Sequence, residues 1–108
     1  MSTPDTLYDE AIELQQAGKV DEAIKRLEDL AKSQPEFALA HAALSAFYSK
    51  QARHDEAIEQ AELVCKLDAD DPFSFMAKSI VCQRAGLIRE AEEAMAEAQH
   101  RQWAARQG

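Results

Sequence analysis

The chain has 108 residues, carries a formal net charge of −8 and is 46% hydrophobic. This length suits one domain, and the apolar content is enough for a core without a disulfide framework. The acidic balance argues against nucleic-acid binding, which depends on a basic surface. No stretch approaches the ~18 apolar residues of a membrane span and no amino-terminal signal pattern is present, so we expect a cytoplasmic protein without membrane insertion.

The predicted elements are helices, and the first begins in the segment Ser2-Thr3-Pro4-Asp5. A hydroxyl side chain before a proline is typical of a helix cap followed by the first helical position. Apolar residues then recur at three- and four-residue spacing as far as Gly18, where we expect a turn. A second helix is predicted from about Asp21 until Ser33-Gln34-Pro35 ends it.

The same order of elements occurs twice more along the chain. A third helix is predicted after Pro35, with a turn at 51–54 before the fourth helix. Asp71 is a plausible cap for a fifth helix that begins at Pro72. That helix is expected to end near Gly86, and a sixth to run from about Ile88 into Trp103. The pattern predicts an all-α chain with short connections between antiparallel neighbours.

One motif recurs at a fixed interval of 34 residues, in the segments 21–25, 55–59 and 89–93. Ala23, Ala57 and Ala91 stand in register within it, and a fixed period indicates a repeat protein. Small residues also recur in the other helix of each predicted hairpin, at Ala11, Ser45 and Ser79. We expect these small side chains to lie where two helices approach closely, since a larger one would push the hairpin open.

The repeat resembles the tetratricopeptide family, whose 34-residue unit carries W-x2-L-G-x2-Y, then A-x3-F, then P. The middle copy matches best, through His41, Leu44, Ser45 and Tyr48, with histidine where the family usually has tryptophan. The outer copies match more loosely and depart from the pattern at Glu10, Lys78 and Cys82. The resemblance implies one α-solenoid domain over 1–108 with three antiparallel helical hairpins, at about 4–37, 38–71 and 72–105, wound as a right-handed superhelix.

By the same resemblance, the first helix of each hairpin lines a concave groove and the second lies on the convex side. The expected groove residues are Tyr8, Ile12, Leu39, Ala42, Ala43, Ala46, Phe73, Met76, Ala77 and Ile80. The expected rim residues are Gln15, Gln16, Ser49, Lys50, Gln83 and Arg84. A mostly apolar groove favours a protein partner that offers an apolar strand or an amphipathic helix. The alternative is that these residues are buried against one another or covered by the chain's own C-terminus.

Some family members bind the acidic C-terminal tails of heat-shock chaperones through lysine, asparagine and arginine side chains in this groove, because a free carboxylate needs charged donors. The matching positions here are Tyr8, Ile12, Ala43, Phe73 and Ala77. None of these side chains donates as that set does. We therefore do not expect this chain to bind chaperone tails in that way.

A second interpretation is a self-associating assembly subunit. Repeat arrays usually end in an extra polar-faced helix, and here the third repeat is followed directly by Gly108. The predicted edge consists of Ala91, Met95, Ala98 and Trp103, and local folding back of Trp103 is an equally open alternative. Charge is also polarised, at −5 over 1–37, −4 over 38–71 and +1 over 72–108, which favours head-to-tail contact or a basic partner. A third interpretation is an adaptor chaperone that shields an apolar client segment.

The sequence offers little for catalysis. Its histidines and cysteines are scattered, and none pair at metal-ligand spacing on one helix: His41, His54, His100, Cys65 and Cys82. Both cysteines lie on apolar helix faces, so we expect reduced, buried thiols. No phosphate-binding glycine loop, nucleophile elbow or zinc-protease motif is present. We therefore predict a non-enzymatic protein with no cofactor and no metal.

Overall fold

The computed structural model describes residues 2–107, which form six α-helices without a β-strand in that range. The helices are α1 (Pro4–Gln16), α2 (Val20–Ser33), α3 (Ala38–Lys50), α4 (His54–Leu67), α5 (Pro72–Arg84) and α6 (Ile88–Gln107). The first helices of the three pairs begin at residues 4, 38 and 72, and the second helices at 20, 54 and 88. Helix starts thus keep the 34-residue interval of the sequence.

The helices pack mainly against their neighbours in sequence. Contacts join α1 with α2, α3 with α4, and α5 with α6 inside the hairpins, while α2 with α3 and α4 with α5 connect one hairpin to the next. The first helices α3 and α5 also contact each other directly. This is the arrangement of a solenoid, in which each unit buries its apolar face against the unit beside it.

Local sequence signals account for the helix boundaries. The Thr3 hydroxyl accepts a hydrogen bond from the Thr6 backbone N–H at 3.1 Å, and Pro4 opens α1. An Asp71 carboxylate oxygen accepts from the Phe73 backbone N–H at 3.0 Å, ahead of Pro72 at the start of α5. Both caps occupy the predicted positions and satisfy a backbone donor that the helix itself leaves unpaired.

The turn inside each hairpin places one residue in the left-handed region of backbone space. Gly18 (φ 85°), Ala52 (φ 60°) and Gly86 (φ 81°) occupy this position at 34-residue spacing. The next residue then donates its backbone N–H to a carbonyl five residues back, as Lys19 does to Leu14 at 2.8 Å. Such a cap ends a helix by using its last carbonyls. Alanine has a Cβ that opposes this conformation, so the middle turn is strained where the outer two are not.

Small residues occupy the close approaches between paired helices, as the sequence predicts. Ala23 and Ala57 are fully buried and Ala91 is nearly so. The Ser45 hydroxyl donates to the Ala57 carbonyl at 2.8 Å, and the Ser79 hydroxyl donates to the Ala91 carbonyl at the same distance. These bonds join the two helices of the second and third hairpins at equivalent points.

Polar side chains of α3 connect it to α2, to the loop before α3 and to α4. The two ring nitrogens of His41 lie 2.8 Å from the Pro35 carbonyl oxygen and 2.6 Å from the side-chain amide of Gln60. The Tyr48 hydroxyl donates to the Glu28 carboxylate of α2. Both side chains are buried, so their hydrogen bonds replace those lost to water. His41, which stands where the family usually has tryptophan, links the loop before α3 to α4.

Candidate functional site

A stripe of exposed or half-buried apolar side chains follows the direct contact between α3 and α5. On α3 it contains Leu39, Ala42 and Ala46, and on α5 it contains Phe73, Ala77 and Ile80; we call this surface the α3–α5 groove. Spacings of three, four and seven residues place each set on one helix face. Leu39 is 49% exposed, Phe73 70% and Ile80 49%, although all three are large apolar side chains.

Two adjoining cavities form the floor of the α3–α5 groove. One of about 240 Å³ lies at the amino-terminal ends of the helices and is lined by Ala38, Leu39, Ala42, Val64, Asp68, Asp71, Phe73, Ser74 and Ala77. The other, of about 180 Å³, lies toward the carboxyl-terminal ends and is lined by Ala42, Ser45, Ala46, Ser49, Lys50, Ala77, Ile80, Val81 and Arg84. Ala42 and Ala77 border both, so short side chains keep the groove continuous between them.

The two ends of the α3–α5 groove carry opposite charge. Asp68 and Asp71 border the amino-terminal cavity, while Lys50 and Arg84, the last residues of α3 and α5, border the other. Within residues 2–107, neither Lys50 nor Arg84 has a carboxylate oxygen within 4.0 Å. Both cations are exposed, so a charged group on a partner can reach them.

Ser49 lies at the basic end of the groove with its hydroxyl buried. The sequence places it at the rim, but the structure buries it to 6% exposure. Its hydroxyl is shielded from solvent and has no hydrogen-bond partner among the described residues, although the residue borders the cavity beside Lys50. A buried hydroxyl without a partner loses the hydrogen bonds it made to water, which destabilises the free protein.

The remaining residues predicted for the groove lie in other environments. Tyr8 and Ile12 are half-buried and pack on the core, with the Tyr8 ring edge-on to Phe37 at a centroid distance of 6.2 Å. Ala43 is a core residue, buried because it faces the interior of the solenoid, and Met76 is half-buried. Of the predicted rim, Gln15 is half-buried, whereas Gln16, Lys50, Gln83 and Arg84 are exposed.

The four residues predicted for a self-association edge also differ in exposure. Ala91 and Ala98 are buried, so their side chains are not open to a second copy. Met95 is half-buried, and Trp103 is 61% exposed. The end of α6 is fixed instead by Arg101.

The Arg101 guanidinium group lies over the Phe75 ring at 4.0 Å from its centroid and donates hydrogen bonds to the Ala69 carbonyl and the Glu97 carboxylate. These contacts connect α6 to α5 and to the loop that precedes α5. The cation over the ring adds to the attraction, since aromatic faces carry partial negative charge.

No protein-family model matches the chain, and no curated protein matches it in sequence. Solved structures do match its backbone. MamA superposes with a TM-score of 0.88 at 18% identity, over 98% of this chain and 62% of MamA. The type III secretion translocator chaperone SycD of Yersinia enterocolitica gives 0.82 at 24%, over 92% of this chain and 75% of SycD. The second TPR domain of Spaghetti (RPAP3), bound to an HSP90 peptide, gives 0.79 at 19%, over 89% of each chain.

The chain has the fold of a tetratricopeptide-like solenoid. The superpositions cover nearly all six helices, which pack in adjacent pairs as the resemblance in sequence implies. The chain spans about three-fifths of the length of MamA, so it corresponds to only part of that protein. At identities below 25%, this similarity establishes the fold alone. The roles of individual residues are therefore argued from their own contacts and exposure.

Reactive side chains of the tetratricopeptide-like solenoid are buried or scattered. Cys65 and Cys82 are both buried, and desolvation raises the pKa of each thiol, which disfavours the nucleophilic thiolate. Among residues 2–107, histidine, cysteine and carboxylate side chains form no group of three that could hold a metal ion. Within the same range, no helix is long and apolar enough to cross a membrane.

Proposed function

We propose that the chain is a protein-interaction module that binds an apolar segment of another protein in the α3–α5 groove. One observation carries the proposal: Leu39, Phe73 and Ile80 are large, apolar and about half exposed or more on adjacent helices. Contiguous exposed apolar surface on a folded protein usually marks an interaction site. The alanine floor between these side chains leaves space for inserted side chains of a partner.

The structural neighbours support a binding role over a catalytic one. SycD is a secretion translocator chaperone, and the RPAP3 domain is bound to an HSP90 peptide. By the resemblance to the tetratricopeptide family, five positions match a carboxylate-binding set, and none of them holds lysine, arginine or asparagine: Tyr8, Ile12, Ala43, Phe73 and Ala77. We therefore assign this chain an apolar partner segment. Shielding such a segment in a client protein is one use of the same groove.

The energy of binding is proposed to come from burial of the exposed apolar side chains. Covering one large apolar side chain completely contributes about 1.5–3 kcal/mol. Leu39, Phe73 and Ile80 would supply most of this, and the polar rim at Lys50, Gln83 and Arg84 would orient the partner. Charged rim groups mainly affect specificity and association rate.

Replacing Leu39 and Phe73 together with glutamate tests the proposal. We expect the Leu39→Glu/Phe73→Glu variant to lose the proteins that wild type captures from native lysate, because two charges would be desolvated in the groove. Helicity should be unchanged, since both side chains are exposed. A matched control is Leu87→Glu/Ile88→Glu, which adds the same charges to exposed apolar residues at the α5–α6 turn. Equal capture by both folded variants contradicts the assignment.

Self-association is a second candidate function, and the exposure of Trp103 favours it. An indole that is 61% exposed on α6 offers a large apolar surface to another copy. Light scattering over a range of protein concentrations tests this candidate, with Trp103→Ala as the variant. A monomeric mass at high concentration contradicts it, and an oligomer that Trp103→Ala leaves intact places the contact elsewhere.

A further inference from the structure

We propose that the segment bound in the α3–α5 groove is an amphipathic helix of about three turns that runs antiparallel to α3 and α5. Its acidic amino-terminal turn lies beside Lys50 and Arg84, and its basic carboxyl-terminal turn lies beside Asp68 and Asp71. This inference rests on the proposed function, because it names the chemistry and direction of the occupant of the same groove.

The spacing of the two cavities favours a helical occupant. The α3 residues that line one cavity are 38, 39 and 42, and those that line the other are 42, 45, 46, 49 and 50, so their mean positions differ by about seven residues. Along a helix this is about 10 Å, and residues i and i+7 of a bound helix, which share a face, have the same separation. In an extended strand, residues on one face lie about 7 or 13 Å apart. A helix therefore places one apolar side chain in each cavity without adjustment.

The charges at the two ends favour one direction. Helices are stabilised by acidic side chains in the first turn and basic side chains in the last. An amphipathic helix of this common type matches the groove only when its amino terminus lies at the cationic end, beside Lys50 and Arg84. The opposite direction would bring carboxylates to Asp68 and Asp71 and cations to Lys50 and Arg84. In the antiparallel arrangement, the helix dipole of the occupant also points opposite to the dipoles of α3 and α5, which is the favourable arrangement for neighbouring dipoles.

Two synthetic peptides test the direction of binding. Both have about 14 residues, blocked ends and leucine at two positions seven residues apart on an alanine- and glutamine-rich helix. One carries two glutamates at its start and two lysines at its end, and the other carries these charges exchanged. We expect the acid-first peptide to bind wild type at least about tenfold more tightly by fluorescence anisotropy at low salt, and the ratio to shrink as salt is added.

The two peptides also differ in how readily they form a helix by themselves. Reversing charges on the protein separates this difference from the effect of the groove. The Lys50→Glu/Arg84→Glu variant should lose the preference or reverse it, because the same two peptides are compared on both proteins. Lys32→Glu/Arg106→Glu is the matched control, since it changes exposed cations in the last turns of α2 and α6, and it should keep the wild-type ratio. A ratio that Lys50→Glu/Arg84→Glu leaves unchanged overturns the proposed direction.

A central proline in the acid-first peptide tests whether the occupant is helical. Proline breaks a helix but is compatible with an extended segment, so we expect binding to be lost, and retained binding overturns the helical occupant. If wild type binds both original peptides with equal affinity and the Leu39→Glu/Phe73→Glu variant loses this binding, the proposed direction is overturned and the proposed groove function stands. Binding of neither peptide, or binding that Leu39→Glu/Phe73→Glu does not weaken, counts against both.

Discussion

Helices α3 and α6 are both rich in alanine, but they differ in their other residues and in their surroundings. Helix α3 contacts α2, α4 and α5, and eight of its 13 residues are buried. Helix α6 packs mainly on α5, and only three of its 20 residues are buried, all of them alanine. The buried side chains of α3 include Leu44, Phe47 and Tyr48. The number of helices that pack against a helix therefore decides how much stability it contributes: three pack on α3, whereas α6 packs mainly on α5.

The largest effect expected from this difference concerns apolar side chains at the two helices. Leu44→Ala removes a side chain that is 1% exposed and should lower the free energy of unfolding by about 3 kcal/mol, through lost burial and a residual cavity. Met95→Ala on α6 removes a half-buried side chain and should cost about 1 kcal/mol. Urea denaturation followed by circular dichroism measures both. Equal losses of unfolding free energy in the two variants would mean that Met95 on α6 is packed as tightly as Leu44 on α3.

A smaller effect is expected at the polar contact between hairpins. Tyr48→Phe removes the hydrogen bond to Glu28 and should lower the free energy of unfolding by about 1–2 kcal/mol, because the acceptor is charged. Desolvation, reinforced by that hydrogen bond, raises the pKa of the Tyr48 phenol well above its usual range.

The raised pKa of Tyr48 sets the sign of a pH effect. The unfolded state releases this proton near pH 10, before the folded state does, so the stabilisation is complete below pH ~10 and declines as pH rises above it. The stability difference between wild type and Tyr48→Phe should be constant from neutral pH to about 9 and fall beyond 10. A difference that grows with pH in that window would contradict the hydrogen bond.

The smallest effect concerns the turns, and it has the opposite sign. Ala52→Gly should raise the free energy of unfolding by up to about 1 kcal/mol, because glycine accepts the positive φ without strain and this gain exceeds its entropic cost. Gly18→Ala and Gly86→Ala are the matched reverse changes and should each cost about 1 kcal/mol. A built Cβ would meet no atom within 4 Å at either glycine, so the backbone conformation alone is tested. Thermal melting of the three variants resolves the signs.

The sequence predicted most of the fold because helix boundaries depend on local chemistry. Pro4, Pro72, Gly18 and Gly86 mark starts and turns through backbone preferences that need no distant partner. Ala52 carries no such signal, and its turn follows from the repeat period alone. Alanine and serine at the close approaches were also predictable, because packing between paired helices recurs every 34 residues.

The detail of the groove was less predictable, for a geometric reason. A small rotation of a first helix decides whether an alanine faces the core, as Ala43 does, or the groove, as Ala46 does. Periodicity alone does not fix that rotation. The opposite charges at the two ends, and the buried hydroxyl of Ser49, arise from residues of two helices, α3 and α5, and of the loop between α4 and α5. Their proximity depends on tertiary packing.

The equal spacing of helix starts makes the length of the solenoid adjustable. Residues 38–71 contain one whole hairpin together with the loop that leads into the next. If a second copy of this segment were inserted after residue 71, its second helix would pack on α5, as α4 does in the native chain. Its first helix would pack on the original α4, whereas α3 packs on α2, so this is the one new junction between units. An array lengthened in this way would add one more first helix to the apolar surface, and with it a longer stretch of partner chain. The constant register therefore allows the groove to be lengthened by adjusting one junction while the core of each hairpin is kept.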